Sequence, residues 1–356
     1  MSRLTVVSAN LRRDGGGAAA LGRRVVADAR AFAALRGLAF RVLHLDAPDA
    51  DLGGDVLHFH GKRAALVLAV ARAQVGPGAL VFDHLGPARI QAWLPASLRQ
   101  PYVLLLLGVE MAPPLRGDRR RALARAALRL SISEHTRGLA LRAAGTDSAV
   151  LHPALEERTG AGDPDAELLA RVGEGYFLIV GRLAASERYK GHELLFAVAE
   201  GMPAARVVVV GDGDDRERLE TCAGPLGARV AFTGFVSNAT RDALYARCRA
   251  LVMPSLGEGF GLVYLEAMRA GRPCVALRGG AAAEIVVDGE TGLLVSPEPE
   301  ALRAALERLG TDELARGLGE AARRRYETVF APARFQAAFF SHLDALLDVA
   351  RARRAA

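Results

Sequence analysis

A glycine-rich turn between a predicted strand and a predicted helix is the clearest candidate for chemistry. The turn, GEGFG at residues 257–261, follows the apolar run Ala250–Met253 and precedes the helix-forming run Leu262–Ala270. A helix N-terminus offers free backbone N–H groups and the positive end of the helix dipole, so it favours a phosphate. Glycines let such a ligand approach the backbone closely. The turn therefore predicts an anion site.

Two carboxylates flank this predicted anion site. Glu258 lies in the turn and Glu266 follows eight positions later. If the helix begins near Phe260, Glu266 lies about 9 Å along it. A carboxylate accepts hydrogen bonds from both hydroxyls of a vicinal diol, so the pair could hold a sugar and a ribose on either side of a diphosphate. In the alternative interpretation Glu258 complements the helix dipole and Glu266 is a solvated helix residue.

A second loop supplies positive charge. The predicted strand Tyr176–Val180 ends at Gly181 and Arg182, and the run ERYKGH at 187–192 contains Lys190. A planar guanidinium and a mobile ammonium together would neutralise a diphosphate. The alternative is a pair of surface cations without a ligand.

Short apolar runs alternate with helical patterns along the whole chain, which predicts parallel sheets with helices on both faces. Thirteen candidate strands are too many for one compact doubly wound sheet, so two such sheets are expected. The candidates are Leu4–Ser8, Ala39–His44, Val56–His60, Ala79–Asp83, Tyr102–Leu107, Leu130–Ser133, Ala149–Leu151, Tyr176–Val180, Arg206–Val210, Val230–Thr233, Ala250–Met253, Pro273–Ala276 and Gly292–Val295. The polar stretch His152–Glu174 has no such run and suits a linker.

Composition excludes several classes of protein. The chain has 356 residues, of which 51% are hydrophobic and 24% charged, as in globular proteins. Its three cysteines cannot form a disulfide scaffold and favour a reducing compartment. The apolar run at 101–109 is too short to span a bilayer, and no targeting segment is expected at the N-terminus.

Positive charge is concentrated in the first half. Residues 1–160 hold 22 basic and 13 acidic residues, whereas the rest hold 24 and 27. Much of the excess lies in Arg116, Arg119, Arg120, Arg121, Arg125, Arg129, Arg137 and Arg142. This is either a solvated helix face or a surface for anionic lipid or a diphosphate-bearing acceptor. Nucleic acid is not expected, because aromatics are 6% and do not alternate with the basic residues.

The run EGFGL at 258–262, with Glu266 completing it, resembles the signature of retaining glycosyltransferases of the GT-B fold, glycosyltransferase family 4. The resemblance continues into AMRAG at 267–271 and GETGLL at 289–294. It implies two Rossmann-like domains facing each other across a cleft. The two are an acceptor-side domain at 1–160 and a nucleotide-sugar-binding domain at 170–330. A C-terminal helix at 331–356 is expected to cross back to the first domain.

The same resemblance assigns roles to the donor-side residues. It implies that Arg182 and Lys190 stabilise the leaving diphosphate, that Glu258 holds the sugar and that Glu266 holds the ribose. Backbone groups in the two loops and a nucleobase loop at 233–237 complete the expected donor site. These further donor-binding residues are Gly181, Phe235, Val236, Gly259, Phe260, Gly261 and Leu262. The run GDGDD at 211–215 is expected to be a turn that caps a helix rather than a metal site.

In the first half, Asp14 and the glycines Gly16 and Gly17 follow the first strand and precede a predicted helix. The resemblance implies a glycine loop that closes on the donor diphosphate. The segment LLGVE at 106–110 resembles the family's H-G-x-E motif, but Leu107 replaces the histidine beside the donor sugar. Three residues remain candidates for acceptor or sugar contacts, each with a structural role as the alternative: His84, Glu110 and His135.

The implied reaction is transfer of a hexose from GDP-mannose or a UDP-hexose to a hydroxyl, with retention of the anomeric configuration. The acceptor is expected to be a glycan, a small molecule or a polyprenyl-diphosphate-linked saccharide. No metal or other cofactor is expected. A cytoplasmic enzyme is expected, and a peripheral position at an anionic inner membrane face would suit the basic first half. Two alternatives stay open: a non-catalytic nucleotide-binding subunit, and a GT-B nucleotide-sugar epimerase.

Overall fold

A computed structural model describes residues 2–12, 15–47, 52–111, 115, 117–156 and 162–355. The strands in these residues are β1 (Arg3–Ser8), β2 (Ala39–His44), β3 (Val56–His58), β4 (Gly78–Phe82), β5 (Tyr102–Leu106), β6 (Leu128–Ser131), β7 (Ala149–Val150), β8 (Phe177–Val180), β9 (Val207–Val210), β10 (Val230–Phe232), β11 (Ala250–Met253), β12 (Cys274–Leu277) and β13 (Gly292–Val295).

Helices connect these strands in nearly every case. The α-helices are α1 (Gly16–Leu35), α2 (Arg63–Ala73), α3 (Leu85–Ala88), α4 (Gly117–Arg125), α5 (Glu134–Ala144), α6 (Ala166–Val172), α7 (His192–Glu200), α8 (Arg216–Cys222), α9 (Asn238–Arg247), α10 (Leu262–Arg269), α11 (Ala282–Ile285), α12 (Pro299–Arg308), α13 (Asp312–Val329) and α14 (Pro332–Ala355). Short 3-10 helices span Arg89–Ala92, Ala96–Leu98, Val109–Met111, Ala185–Lys190 and Gly224–Arg229.

The chain divides into two compact units. The first unit comprises Met1–Glu156 together with Pro332–Ala356, and the second comprises Glu157–Ala331. The first contains a seven-stranded sheet in the order β3-β2-β1-β4-β5-β6-β7. The second contains a six-stranded sheet in the order β10-β9-β8-β11-β12-β13. Every strand pairing in both sheets is parallel.

The central strands explain why these sheets are parallel and covered by helices on both faces. All residues of β4, β5, β8, β9, β11 and β12 are buried, and their sequences are continuous apolar runs such as YVLLL and VVVV. A strand buried on both faces has no polar side to present to water, so its sequence does not alternate. This pattern confirms the predicted α/β class with two sheets.

All thirteen predicted strands are present, and most bounds agree within one or two residues. Helix α1 begins at Gly16, so Gly16 and Gly17 belong to its first turn instead of preceding the helix as predicted. Helix α10 begins at Leu262, which confirms the start of the predicted run Leu262–Ala270. It does not begin near Phe260, because Gly261 takes the N-cap position with a φ of 95°. Helix α14 packs on α1, and its residues belong to the first unit.

Among the described residues, no helix is both long enough and apolar enough to cross a membrane.

Candidate functional site

The candidate site of the second unit lies where the strand order changes direction. Strand β8 pairs with β9 on one side and with β11 on the other. The connections that leave β8 and β11 therefore diverge, and a crevice opens at the carboxyl ends of the two strands. Arg182 and Lys190 follow β8, and Glu258 follows β11. The topology thus brings together the three residues that the sequence pattern selected.

The loops after β8 and β11 are joined through their backbones. The amide of Leu256 donates to the carbonyl of Tyr189 at 3.0 Å. Gly191 has a φ of 79° and packs so closely on Pro254 that a Cβ there would overlap the proline carbonyl. Only glycine fits this position without a backbone shift, because the left-handed conformation and the close approach both exclude a side chain. The two loops therefore hold Lys190 and Glu258 in one fixed relation.

A fourth charged residue, Glu187, links the two cations. Lys190 Nζ lies 3.1 Å from Oε2 of Glu187 and 3.9 Å from Oε1 of Glu258. The guanidinium of Arg182 contacts the other Glu187 oxygen, Oε1. Glu187 is not among the site residues predicted from the sequence. The available signal was an acid three residues before Lys190 in a run that otherwise supplies cations.

Burial strengthens the charge interactions within this cluster. The side chains of Glu187 and Lys190 are only 10% and 13% exposed, whereas Arg182 is 54% exposed. Charges taken out of water interact strongly, so each buried carboxylate holds its cation firmly. The neighbouring phenol of Tyr189 is affected as well: burial, then Glu258 and Glu187, raise its pKa to about 12. Tyr189 is therefore a neutral hydrogen-bond donor at physiological pH.

The N-terminus of α10 completes this side of the crevice. At Gly261 a Cβ would lie 2.6 Å from the ring of Tyr264, so a side chain is excluded there. No side chain caps α10 in the part of the chain that the structure describes, which leaves its first amides for a ligand. Phe260 is buried and packs edge-to-face on Phe330 at 6.1 Å, which anchors the turn that carries Glu258 and Gly259.

The carboxylate of Glu266 contacts side chains of α9 and is largely shielded from solvent. The buried hydroxyl of Tyr245 donates to its Oε2 at 2.9 Å, and Arg241 Nη2 lies 3.0 Å from its Oε1. Its side chain is 12% exposed, so the alternative of a solvated helix residue is wrong. Each carboxylate oxygen has a second lone pair, so the residue can still accept from a hydroxyl of a ligand.

The loop after β10 borders an open cavity of about 440 Å³. Phe235 and Val236 form its apolar wall, and the ring of Phe235 is 66% exposed. Asp163, Asp165 and Glu167 line the other side. An exposed aromatic ring beside hydrogen-bond acceptors suits a flat heterocycle that carries N–H groups.

The GDGDD run is a turn, as the pattern predicted, but it does not cap α8 as expected. Asp215 occupies the N-cap position without a capping hydrogen bond. Instead it binds Arg188 and Arg218, with nitrogen–oxygen distances of 2.7 and 2.6 Å, and the two arginines hold its pKa well below the usual range. In the described ranges, no three His, Cys, Asp or Glu side chains converge as a metal site.

Gly211 and Gly213 lie in this turn and pack on the loop after β8. A Cβ at Gly211 would overlap the carbonyl of Gly181, and one at Gly213 would overlap that of Leu183. His192 begins α7, directly after the N-cap residue Gly191. Burial, with a smaller contribution from Lys190, lowers the pKa of His192 to about 4, so its ring is neutral.

The first unit has its own point of strand reversal, between β1 and β4. Gly16 and Gly17 follow β1 as the first turn of α1, while Asp14 lies outside the described residues. Asp83 follows β4 and is buried, and burial raises the pKa of its carboxyl to about 6. The sequence analysis did not select Asp83, because an acid at the end of a strand is usually exposed.

The three candidate acceptor contacts follow β4, β5 and β6 in turn. His84 caps α3, and its Nδ1 accepts from the amide of Gly86 at 2.9 Å. Glu110 is buried and turns back on its own loop, where its Oε1 accepts from the amide of Leu107 at 2.7 Å. His135 lies in the first turn of α5. His84 and Glu110 therefore each have a structural contact, and the geometry assigns no shared site to the three.

Comparisons with known proteins agree with the fold and the motifs. The family model for glycosyl transferases group 1 matches residues 174–312. A phosphatidyl-myo-inositol mannosyltransferase of Mycobacterium leprae is 31% identical over 284 residues, which are 77% of this chain and 70% of that one. The sulfoquinovosyl transferase of Arabidopsis thaliana is 34% identical over 161 residues, which are 43% of this chain and 29% of that one.

Solved structures extend the likeness of the fold. Anabaena HepE in complex with UDP and glucose aligns with a TM-score of 0.74 at 20% identity, over 96% of this chain and 100% of that one. The matches in sequence cover less of the relatives than the matches in structure do. This chain spans only 29% to 54% of the length of four of the curated relatives. Together the fold and these matches define a GT-B glycosyltransferase. The chain belongs to the glycosyl transferases group 1 family.

Proposed function

We propose that the protein is a retaining hexosyltransferase that uses a nucleotide sugar. The observation that carries this proposal is the cluster at the β8–β11 crevice. There, Arg182 and Lys190 lie beside Glu187, and Lys190 Nζ is 3.9 Å from Glu258. Two cations suit a diphosphate leaving group, and an adjacent partly exposed carboxylate suits the hydroxyls of the sugar attached to it.

The proposed reaction is a front-face displacement. The bond between the anomeric carbon and the diphosphate oxygen breaks as the acceptor oxygen bonds to the same face of that carbon. The acceptor's proton passes to the departing phosphate oxygen, so the donor itself supplies the base. Arg182 and Lys190 stabilise the charge that develops on the diphosphate, and the first amides of α10 add to this. The proposal therefore requires neither a metal nor another cofactor.

The remaining contacts orient the donor. Glu258 would hold the sugar hydroxyls, and Glu266 would hold the ribose diol. Phe235 and Val236 would contact the nucleobase at the mouth of the 440 Å³ cavity. Fixed orientation lowers the barrier because the reacting atoms no longer have to find each other. In the first unit, Gly16 and Gly17 are proposed to approach the donor diphosphate.

We propose GDP-mannose or a UDP-hexose as donor and a glycan or lipid-linked saccharide as acceptor. The mannosyltransferase relative from Mycobacterium leprae supports a mannose donor, and the UDP and glucose bound to HepE support a UDP-hexose. A phosphatidylinositol acceptor in that relative's name supports a lipid-linked substrate. A cytoplasmic enzyme at an anionic inner membrane face is consistent with the basic first half.

The test is turnover with a panel of nucleotide sugars and a mixture of acceptors. We expect release of one nucleoside diphosphate from one donor, with the glycosidic product retaining the anomeric configuration by nuclear magnetic resonance. Lys190→Ala and Glu258→Ala should abolish this release, while Lys62→Ala, which changes an exposed lysine of the first unit, should not. Release that persists in both site variants would contradict the assignment.

A non-catalytic nucleotide-binding subunit is the second candidate. It is favoured by Leu107, which replaces the family histidine and whose amide is bound by Glu110. This candidate predicts tight nucleotide binding without turnover for every donor–acceptor pair. Calorimetry with UDP and GDP, run beside the turnover panel, separates the two functions. An epimerase would instead convert the nucleotide sugar without releasing nucleoside diphosphate.

A further inference from the structure

Large apolar side chains are exposed together on the first unit. They belong to α2, to the second residue after it and to the segment before β5. The set, called here the 67–98 surface, is Val67, Leu68, Val75, Trp93 and Leu98. Each is at least half exposed, with Val75 at 77% and Trp93 at 69%. Exposed apolar groups scattered singly need no explanation, but a group of five on neighbouring segments does.

Hydrogen bonds join the segments that carry these side chains. The amide of Gln100 donates to Oε1 of Gln74 at 2.9 Å, and the side-chain amide of Gln100 donates to the carbonyl of Gln74 at 3.0 Å. These bonds tie the end of α2 to the segment before β5. Val75 and Leu98 therefore flank one junction and project from a fixed backbone.

Arginines fix Trp93 and border the surface. Arg125 Nη1 donates to the carbonyl of Ala92 at 2.6 Å, which holds the segment of Trp93 against α4. The guanidinium of Arg121 lies 5.9 Å from the centroid of the Trp93 ring. Trp93 is thus within cation–π range of an arginine and is still 69% exposed.

Four arginines in this region lack a counter-charge. None of Arg99, Arg121, Arg125 and Arg353 forms an ion pair with a residue in the described ranges. Arg353 Nη1 donates to the carbonyl of Arg99 at 3.3 Å. Burial, then Arg125 and Arg353, lower the pKa of Arg99, so the three guanidiniums repel one another. Nε and Nη1 of Arg99 are buried without a hydrogen-bond partner among the described residues.

We propose that the 67–98 surface docks this protein onto anionic phospholipid headgroups. The apolar side chains would enter the interface between headgroups and acyl chains, and the arginines would bind lipid phosphates. A bilayer is favoured over a protein partner because exposed tryptophan and leucine side chains beside arginines suit both the acyl boundary and the lipid phosphates. Tryptophan with bordering arginines is also typical of interfacial binding. The choice of a lipid rests on the proposed lipid-linked acceptor.

The sole tryptophan of the chain, Trp93, reports this contact directly. Vesicles of phosphatidylcholine mixed with anionic phosphatidylglycerol are the probe, and pure phosphatidylcholine vesicles are the control. We expect a blue shift of tryptophan emission, quenching by brominated acyl chains, and cosedimentation that weakens at high salt. An unmoved emission without cosedimentation at low salt would overturn the proposal.

Matched variants locate the contact. Leu98→Glu changes a leucine of the surface, and Leu35→Glu changes one of similar exposure on α1. We expect the first to weaken vesicle binding at least about tenfold and the second to leave it unchanged. Arg121→Gln should weaken binding about fivefold, since each basic residue contributes about 1 kcal/mol. Arg323→Gln, in the second unit, is the control. Equal effects of Leu98→Glu and Leu35→Glu would overturn the assignment to this surface.

Two further readouts separate the remaining outcomes. Gel filtration with light scattering tests a second copy as the occupant: a dimer that Leu98→Glu dissociates would overturn the lipid proposal. Calorimetry with UDP and GDP, without vesicles, tests the donor site by itself. If nucleotide binding and turnover fail while vesicle binding remains, the proposed function is wrong and the docking surface stands. If vesicle binding fails while turnover remains, the docking proposal alone is wrong.

Discussion

Lys190 Nζ lies 3.1 Å from Oε2 of Glu187, a carboxylate that is 10% exposed. Arg182 contacts the other oxygen of the same carboxylate. One buried acid therefore orients both cations that are proposed to bind the diphosphate. Such a residue acts through its neighbours, because it lowers the positive potential of the site while it fixes the geometry.

Glu187→Gln should separate these two effects. Without the negative charge, Arg182 and Lys190 present a stronger positive potential, so nucleoside diphosphate should bind several-fold more tightly. Their orientation is lost, so kcat should fall about tenfold or more. Calorimetry and turnover give the two quantities separately. Glu193→Gln, at an exposed acid on α7, is the control. Weaker diphosphate binding with an unchanged kcat would refute the positioning role.

Gly181→Ala should reduce activity with little loss of stability. The new Cβ would lie 2.8 Å from Lys190 Nζ, and this flexible chain end can move aside. Moving it disrupts the contacts with Glu187 and Glu258, so kcat/KM should fall about 10²-fold. Gly211→Ala should behave differently, because its Cβ meets the rigid carbonyl of Gly181 and its φ is 134°.

Thermal unfolding distinguishes the two glycine variants. Gly211→Ala should lower the Tm by several degrees, since backbone strain of this kind costs about 1–3 kcal/mol. Gly224→Ala, where a Cβ meets open space, is the control for both. Equal loss of Tm in Gly181→Ala and Gly211→Ala would show that the first change is structural as well.

Glu266→Ala should abolish discrimination between ribose and deoxyribose. If Glu266 holds the ribose diol, the normal protein prefers the nucleoside diphosphate over its 2′-deoxy form, and the variant loses that preference. A hydrogen bond to a charged group contributes about 1.5–3 kcal/mol, so the affinity ratio should fall about tenfold or more. Competition calorimetry with UDP or GDP and the deoxy forms measures it. Tyr245→Phe, which removes one support of Glu266, should have a smaller effect in the same direction.

The free energy of unfolding should fall as the pH rises from about 4 to 6, because Asp83 loses its proton less readily in the folded state. Burial raises the pKa of this carboxyl from 3.8 to about 6, so the folded state keeps a proton that the unfolded state has lost. Below about pH 4 both states are protonated and there is no cost. Between about pH 4 and 6 the free energy of unfolding falls by up to about 3 kcal/mol, and above that it stays constant.

The comparison with Asp83→Asn isolates this effect from other carboxyls. The difference in unfolding free energy between the two proteins should grow from pH 4 to 6 in favour of the variant. Urea unfolding followed by circular dichroism and by Trp93 emission reports on the first unit, which contains both residues. Asp163→Asn, at an exposed acid of the second unit, should show no such trend. A constant difference across this range would contradict the buried-acid assignment.

The sequence predicted the sheets better than the charge contacts. Strands such as Tyr102–Leu106 are continuous apolar runs, because a strand that is buried on both faces has apolar side chains at every position. The motif around Glu258 was equally readable, because a strand, glycines and a helix start follow each other directly. The strand order then explains why Lys190 and Glu258, 68 positions apart, lie side by side.

Contacts that depend on packing between segments could not be predicted in the same way. Asp215 was expected to cap α8, but Arg188 from the neighbouring loop competes for its carboxylate. The capping role of His84 and the turn of Glu110 onto its own loop depend on local backbone geometry that residue types do not specify. Glu187 has a role only because the fold brings both cations to it.

The close packing of Gly211 and Gly213 on the loop after β8 has a consequence for engineering the donor preference. Substitutions at these two glycines shift the backbone, and a substitution at Gly181 displaces the Lys190 side chain, so each of them alters several contacts at once. The exposed ring of Phe235 and the neighbouring Val236 have no such constraint. A combinatorial library that aims to accept a new nucleotide should therefore randomise the cavity wall and leave the interlocked loops untouched.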